Sequence, residues 1–194
     1  TVAIVAGCSG NLGMLELSGY TMGTSYSVKA VRSDASISLE PLSNRISVRL
    51  EELENLFSTY RETSEISQFN AHAGNEWFEI HPAFLTVLTR GIDISEFSDG
   101  AFDITVGPLV ELWGFGASNS INMVPTQAEI DSMLKVTGFN YVEVQSSPPA
   151  IRRTQSGVKL DLSSIAKGFA VDEISTLLDS SGLTSYMVEI GGEV

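Results

Sequence analysis

The run "KLDLSSIAKGFAVDEISTLLDSSG", residues 159–182, gathers Asp161, Ser163, Ser164 and Lys167 in one short stretch, with Gly168 next. An acid, two hydroxyls and a base thus stand where an extended segment runs into an amphipathic helix. The first amides of a helix lack intrahelical partners and carry the positive end of its dipole, so they face whatever lies there. The serines add donors and acceptors, and Lys167 returns a positive charge about a turn later. Gly168 removes a side chain where something approaches, at a cost in helix propensity. Asp161 can accept from ligand hydroxyls or amides, or pair with Lys167. The set suits an anion, with or without a metal, because carboxylates and carbonyls are the hard oxygens Mg2+ prefers. It equally suits plain capping plus an Asp–Lys surface pair.

Three other stretches carry chemistry of their own. "GYTMGTSYSV" places Met22 in a tight polar loop before a strand, where a thioether can lie against a flat ring. In "LFSTYRETSEISQFN", Tyr60 follows a helix end and offers a ring for stacking. In "GAFDITVGPLVELWGFG", Asp103 sits amid apolar residues and must find donors. It either braces neighbouring amides or reads a polar edge of a ligand. His72, in a loop, and His81, before Pro82 at a helix start, read as surface or capping residues. No catalytic base is assigned.

The elements that must position these residues follow from periodicity. Tyr26, Val28 and Ala30 alternate as in a strand. Ile46, Leu50, Leu53 and Phe57 recur at helical spacing over about 42–57. One helical turn is expected at 64–70 and a short strand at 77–80. Pro82 opens a second long helix with Phe84, Leu85, Leu88, Ile92 and Phe97 inward, closed by Gly100. Thr126-x-x-Glu129 is a capping box that starts another helix. Residues 141–145, 150–154 and 158–162 read as strands, the last pair joined by the turn at "QSG". The helix after Lys167 packs through Phe169, Val171, Ile174, Leu177 and Leu178, and 186–190 is a final strand. Helices interspersed with hairpin-linked strands indicate an α+β fold with mixed or antiparallel sheets.

The bulk numbers narrow the partners. A 194-residue chain that is 43% hydrophobic can bury a sizeable core. A net charge of -13 disfavours nucleic acid and acidic membrane surfaces, and a bound phosphate would need a cation beside it. The single cysteine, Cys8, rules out a disulfide framework within the chain. It closes Val5-Ala6-Gly7-Cys8, which has the form of a bacterial lipobox. Residues 1–7 then read as the tail of a signal peptide, 8–17 as a lipoprotein tether anchored to a membrane by lipidated Cys8, and 18–194 as the folded domain. The other reading is a short buried strand with a free Cys. "SYMVEIGGEV" ends on a strand and a Gly-Gly turn, so Val194 reads as a cut inside a domain.

"GYTMGTSYSV", "LFSTYRETSEISQFN", "GAFDITVGPLVELWGFG", "LDLSSIAKGFAVDEI" and "VEIGGEV", in this order, resemble the ApbE family of FAD:protein FMN transferases. The resemblance runs from about residue 18 to the last residue and implies the ApbE-like flavin transferase fold. It also implies Mg2+-dependent cleavage of FAD: AMP leaves and FMN is joined through a phosphoester to a Thr or Ser hydroxyl of a target flavoprotein subunit of an electron-transfer complex. On this likeness the FAD contacts fall on Met22, Tyr60, Ala101, Phe102, Asp103, Asp161 and Lys167, and a metal ligand on Ser164. Further metal ligands and a histidine are expected beyond Val194. Family members are commonly periplasmic lipoproteins, which puts the chain on the periplasmic face of a bacterial inner membrane. A Mg2+-dependent FAD pyrophosphatase and a non-catalytic FAD-binding lipoprotein would use the same motifs.

Overall fold

The computed structural model describes residues 3–4, 13–32, 38–117 and 124–194. In chain order the elements are β1 (Ala3–Ile4), β2 (Met14–Thr21), β3 (Thr24–Val31), α1 (Leu39–Phe57), α2 (Glu65–Ala71), β4 (Phe78–Glu79) and α3 (Pro82–Phe97). There follow α4 (Gly107–Leu112), α5 (Gln127–Leu134), a 3-10 turn (Phe139–Tyr141), β5 (Val142–Ser146), β6 (Pro149–Arg153), α6 (Ser163–Ser180) and β7 (Tyr186–Ile190). The class is α+β, as the interspersed periodicities imply. Two compact units form, 1–54 with 166–194, and 55–165, where the sequence reading has a single domain over 18–194.

The first unit holds an antiparallel sheet in the order β1-β2-β3-β7. Alternation in β3 buries Tyr26, Val28 and Ala30, and β2 adds Leu15 and Leu17. Leu42, Ile46, Leu50 and Leu53 are buried from α1, and Ala170, Ile174 and Leu178 from α6, both at helical spacing. Each buried leucine or isoleucine contributes roughly 1.5–3 kcal/mol by leaving water. The guanidinium of Arg49 on α1 donates to Glu173 of α6 at 2.7 and 3.0 Å.

Two boundaries need correction here. Met14–Leu17, assigned to a tether, pair with Val31–Val28 and belong to the sheet. Their alternation is short and was hidden by glycines on its N-terminal side. Ala3 and Ile4, excluded from the fold, pair with Ser18 and Leu17 at the sheet edge. Removing two edge residues would leave the β2-β3-β7 ladder intact. Cys8 and the rest of its lipobox motif lie outside the described residues.

The second unit carries a three-stranded antiparallel sheet, β4-β6-β5, with α2 to α5. Its core includes Ile66, Phe69, Phe84, Leu88, Ile104, Ile151, Leu160 and Leu162, each fully buried. Phe57 and Phe84 stack with ring centroids 5.6 Å apart. The helical turn expected near 64–70 is α2, capped by the Ser64 hydroxyl, which accepts from Ser67 N. The capping box at Thr126 and Glu129 forms with both of its hydrogen bonds. Phe97, expected to face inward, is 93% exposed. The buried stripe of α3 runs through Phe84, Leu88, Gly91 and Ser95, and two residues past Ser95 lies the opposite side of the helix.

Candidate functional site

Within the second unit, the segment 158–162 approaches α6 without a sheet ladder. Among the described residues only Lys159 bridges to another strand-like residue, Val106, and the expected strand pairing with 150–154 does not form. Side chains hold the segment instead. The Asn70 amide donates from Nδ2 to Leu160 O at 2.9 Å and accepts from Leu160 N at Oδ1 at 2.8 Å. Arg153, 4% exposed, donates from Nη1 to Val158 O at 2.8 Å and from Nη2 to Phe69 O. Its guanidinium lies over the Phe69 ring, 4.3 Å from the centroid. Burial pulls the Arg153 pKa down. The Asp161 amide donates to Ile104 O at 2.9 Å.

This scaffold delivers Asp161 to the entrance of α6. Its Oδ1 accepts from Ser163 N at 2.9 Å and from the Ser163 hydroxyl, an Asx turn that stops the chain from extending and starts the helix. Among the described residues nothing donates to Oδ2. Asp161 is 7% exposed, so a buried carboxylate keeps one oxygen open to whatever enters. It lines a pocket of about 200 Å3 together with Thr59, Asn70, Gly107, Glu111 and Lys159. Ser164 is exposed at the second residue of α6.

Asp103 has the same local turn but no open oxygen. Its Oδ1 accepts from Thr105 N at 2.7 Å and from the Thr105 hydroxyl at 2.5 Å, and Oδ2 accepts from Phe139 N at 2.9 Å. The Thr105 hydroxyl in turn accepts from Gly138 N at 2.7 Å. Of the two readings left open for Asp103, the structure shows the bracing of amides. Ala101 is exposed and Phe102 half-buried; the Phe102 amide donates to Ser98 Oγ at 3.0 Å. Tyr60 is 64% exposed, its hydroxyl donating to Phe115 O at 2.7 Å, so the ring face stays available. His81 caps α3 by accepting from Ala83 N at Nδ1, and His72 caps the C-terminal end of α2, in line with the roles read for both.

In the first unit, Met22 sits in the β2–β3 turn at φ 48, beside Gly23 at φ 73. A non-glycine residue there is uncommon and costs backbone strain. Glu54 offsets it, accepting from Met22 N and from the Thr21 hydroxyl, both at 2.9 Å. Lys167 pairs with Glu193, Nζ to Oε1 2.9 Å, and this hydrogen bond holds the Glu193 carboxyl below its usual range. The turn that brings Glu193 there needs Gly191 at φ 58, where a Cβ would press on Thr24 and the Lys167 stem. Gly168, expected to make room for a close approach, has no group among the described residues outside its own stretch of helix within 4 Å of where a Cβ would stand.

Sequence reasoning missed Asn70, Arg153, Glu54 and Glu193. Glu193 was legible in "GGEV", since two glycines before an acid indicate a tight turn that aims it. The other three act across long stretches of chain and left no local signal.

Among the described residues no three His, Cys, Asp or Glu side chains gather closely enough to hold an ion. Asp161 Oδ2 and the Ser163–Ser164 oxygens are hard donors, so they fit part of a Mg2+ shell, which otherwise takes phosphate and water oxygens. No helix is long and apolar enough to cross a membrane among the described residues.

A sequence model of the ApbE family matches residues 22–194, nearly the whole chain. The chain belongs to the ApbE family. Within it, the chain is 38% identical over its full length to an FAD:protein FMN transferase of Vibrio cholerae, covering 58% of that protein. It is 36% identical to the enzyme of the same name from Haemophilus influenzae, over 98% of this chain and 56% of the other. The solved structure of the Vibrio cholerae flavin transferase ApbE superposes with a TM-score of 0.88 at 38% identity, over 92% of this chain and 57% of that one. The fold is therefore that of the ApbE flavin transferases, and the chain spans somewhat more than half the length of these relatives.

Proposed function

We propose that the protein to which this chain belongs transfers FMN from FAD to a Thr or Ser hydroxyl of a target flavoprotein. The acceptor oxygen bonds to the FMN phosphorus, the bond from that phosphorus to the AMP oxygen breaks, AMP leaves, and the hydroxyl proton passes to solvent. The observation that carries this reading is Asp161: a buried carboxylate with one unengaged oxygen, lining a pocket inside the family's DLSSIAKG motif. Such a group accepts from a ligand's N–H or O–H, or contributes an oxygen to a cation. A divalent cation would neutralise charge building on the phosphate oxygens. In a chain of net charge -13, bringing two phosphates close without one would be costly.

Asp161 holds the helix start and its open oxygen in place, and exposed Tyr60 offers a ring for stacking. The lipobox-like Val5–Cys8 supports lipid attachment on the periplasmic face of the inner membrane.

The test uses the full-length protein with FAD, Mg2+ and a target flavoprotein domain. Flavin fluorescence that stays with the denatured target in a gel supports transfer. Free FMN and AMP alone would replace it with hydrolysis, and unchanged FAD with storage. FAD binding should weaken in EDTA and return with Mg2+; binding indifferent to EDTA contradicts the cation argument. Radiolabelled palmitate incorporated by the wild type and absent from Cys8→Ser would support the anchor, and equal labelling would remove it.

A further inference from the structure

We infer that Asn70 is a positioning residue that sets the place of Asp161 in the pocket, a role resting on the proposed binding of FAD there. Val158, Leu160 and Leu162 are buried, yet among the described residues the segment 158–162 has a single bridge, Lys159 to Val106, where a strand would have a ladder. Backbone groups removed from water need partners, and at Leu160 both come from one side chain. A primary amide has a carbonyl and an N–H side by side, so Asn70 imitates the peptide of a neighbouring strand and pairs Leu160 in both directions.

No other residue type of that length supplies both groups without charge. Asp offers two acceptors, Ser is too short for the double contact, and Gln adds a methylene that displaces it. The next residue after Leu160 is Asp161, and Asn70, Leu160 and Asp161 line the same pocket. Asn70 also sits in the last turn of α2, where Arg153 holds Phe69 O and Val158 O together. The helix end and the segment are thus laced at two adjacent points, and the point nearer Asp161 is Asn70. Losing it frees Leu160 to shift, and a carboxylate one residue on shifts with it.

A purely structural asparagine would lower stability and leave ligand affinity alone, so the test measures both. FAD affinity, by quenching of flavin fluorescence, and urea stability are measured on the full-length protein for Asn70→Ala, Asp161→Asn and the double variant. Thr126→Ala, which breaks a remote capping box, reports what destabilisation alone does. Each single change at the site should weaken FAD binding by about tenfold or more, as for a lost buried hydrogen-bonding group. The double variant should bind no more weakly than the worse single, because Asn70 acts through Asp161. Thr126→Ala should bind like the wild type. Where Asn70→Ala does not fold, Asn70→Asp keeps the shape and the acceptor for Leu160 N, and the same pattern is expected of it. If Asp161→Asn loses affinity while Asn70→Ala stays within twofold of the wild type, or if the two losses multiply, the positioning role is overturned. If Asp161→Asn binds FAD as the wild type does, the reading of the pocket itself falls.

Discussion

Asp103 and Asp161 stand in near-identical turns and face opposite ways chemically. Each carboxylate accepts, through Oδ1, the amide and hydroxyl of the residue two positions on, Thr105 in one case and Ser163 in the other. The backbones of the two turns even touch, Asp161 N donating to Ile104 O. The difference is Oδ2. In Asp103 it takes the Phe139 amide, so that carboxylate is fully engaged by the protein. In Asp161 it takes nothing among the described residues, and Asp161 is one of the residues that line the pocket. Two acids that look alike as local motifs thus differ in what the protein engages: both oxygens of Asp103 accept hydrogen bonds, and only one of Asp161 does among the described residues.

The comparison breaks most visibly in stability. Asp103→Ala removes the acceptor for two amides and a hydroxyl and should cost about 2–4 kcal/mol, the sum of several orphaned polar groups. A urea melt of the full-length protein checks this; a loss under about 1 kcal/mol would mean that water replaces Asp103 without difficulty. Asp161→Asn keeps an acceptor for Ser163 and should cost only about 1 kcal/mol in the same melt. Equal losses at the two positions would erase the distinction drawn here.

The smallest effect is expected at the Lys167–Glu193 pair. The Glu193 carboxyl is held below its ordinary pKa, so its contribution to stability is present above the unfolded carboxylate value. It is lost as pH falls through the lower folded value. The pair is partly solvent-accessible, which keeps the effect small. Melts from pH 7 down to about pH 3 should show the wild type slightly more stable than Glu193→Gln at the upper end, with the gap closing in acid. A gap that widens in acid would reverse the assigned direction.

How far the sequence discloses this arrangement depends on the distance over which each residue acts. The apolar stripe of α1 is legible because Ile46, Leu50 and Leu53 repeat within a few turns, and all three are buried. The capping box of α5 is legible for the same reason. The alternation of Val158, Leu160 and Leu162 correctly marks burial and wrongly implies a ladder. What replaces the ladder is Asn70, 90 positions away, and Arg153 reaching Phe69 across 84. No pattern in a single chain exposes such a pairing. The motif Asp161-x-Ser163 announces a turn; whether its second oxygen is engaged depends on what the fold brings against it. The same limit applies to Asp103, whose second oxygen accepts from the Phe139 amide 36 positions away.

The most direct measurement is the FAD affinity of Asp161→Asn beside that of Asp103→Asn, each taken on full-length protein in Mg2+ and under conditions where melts show it folded. Asp161→Asn should lose about tenfold or more, while Asp103→Asn, once folded, should stay within a few-fold of the wild type. The opposite order, with Asp103→Asn abolishing binding and Asp161→Asn leaving it intact, would contradict the assignment of the open oxygen to the ligand.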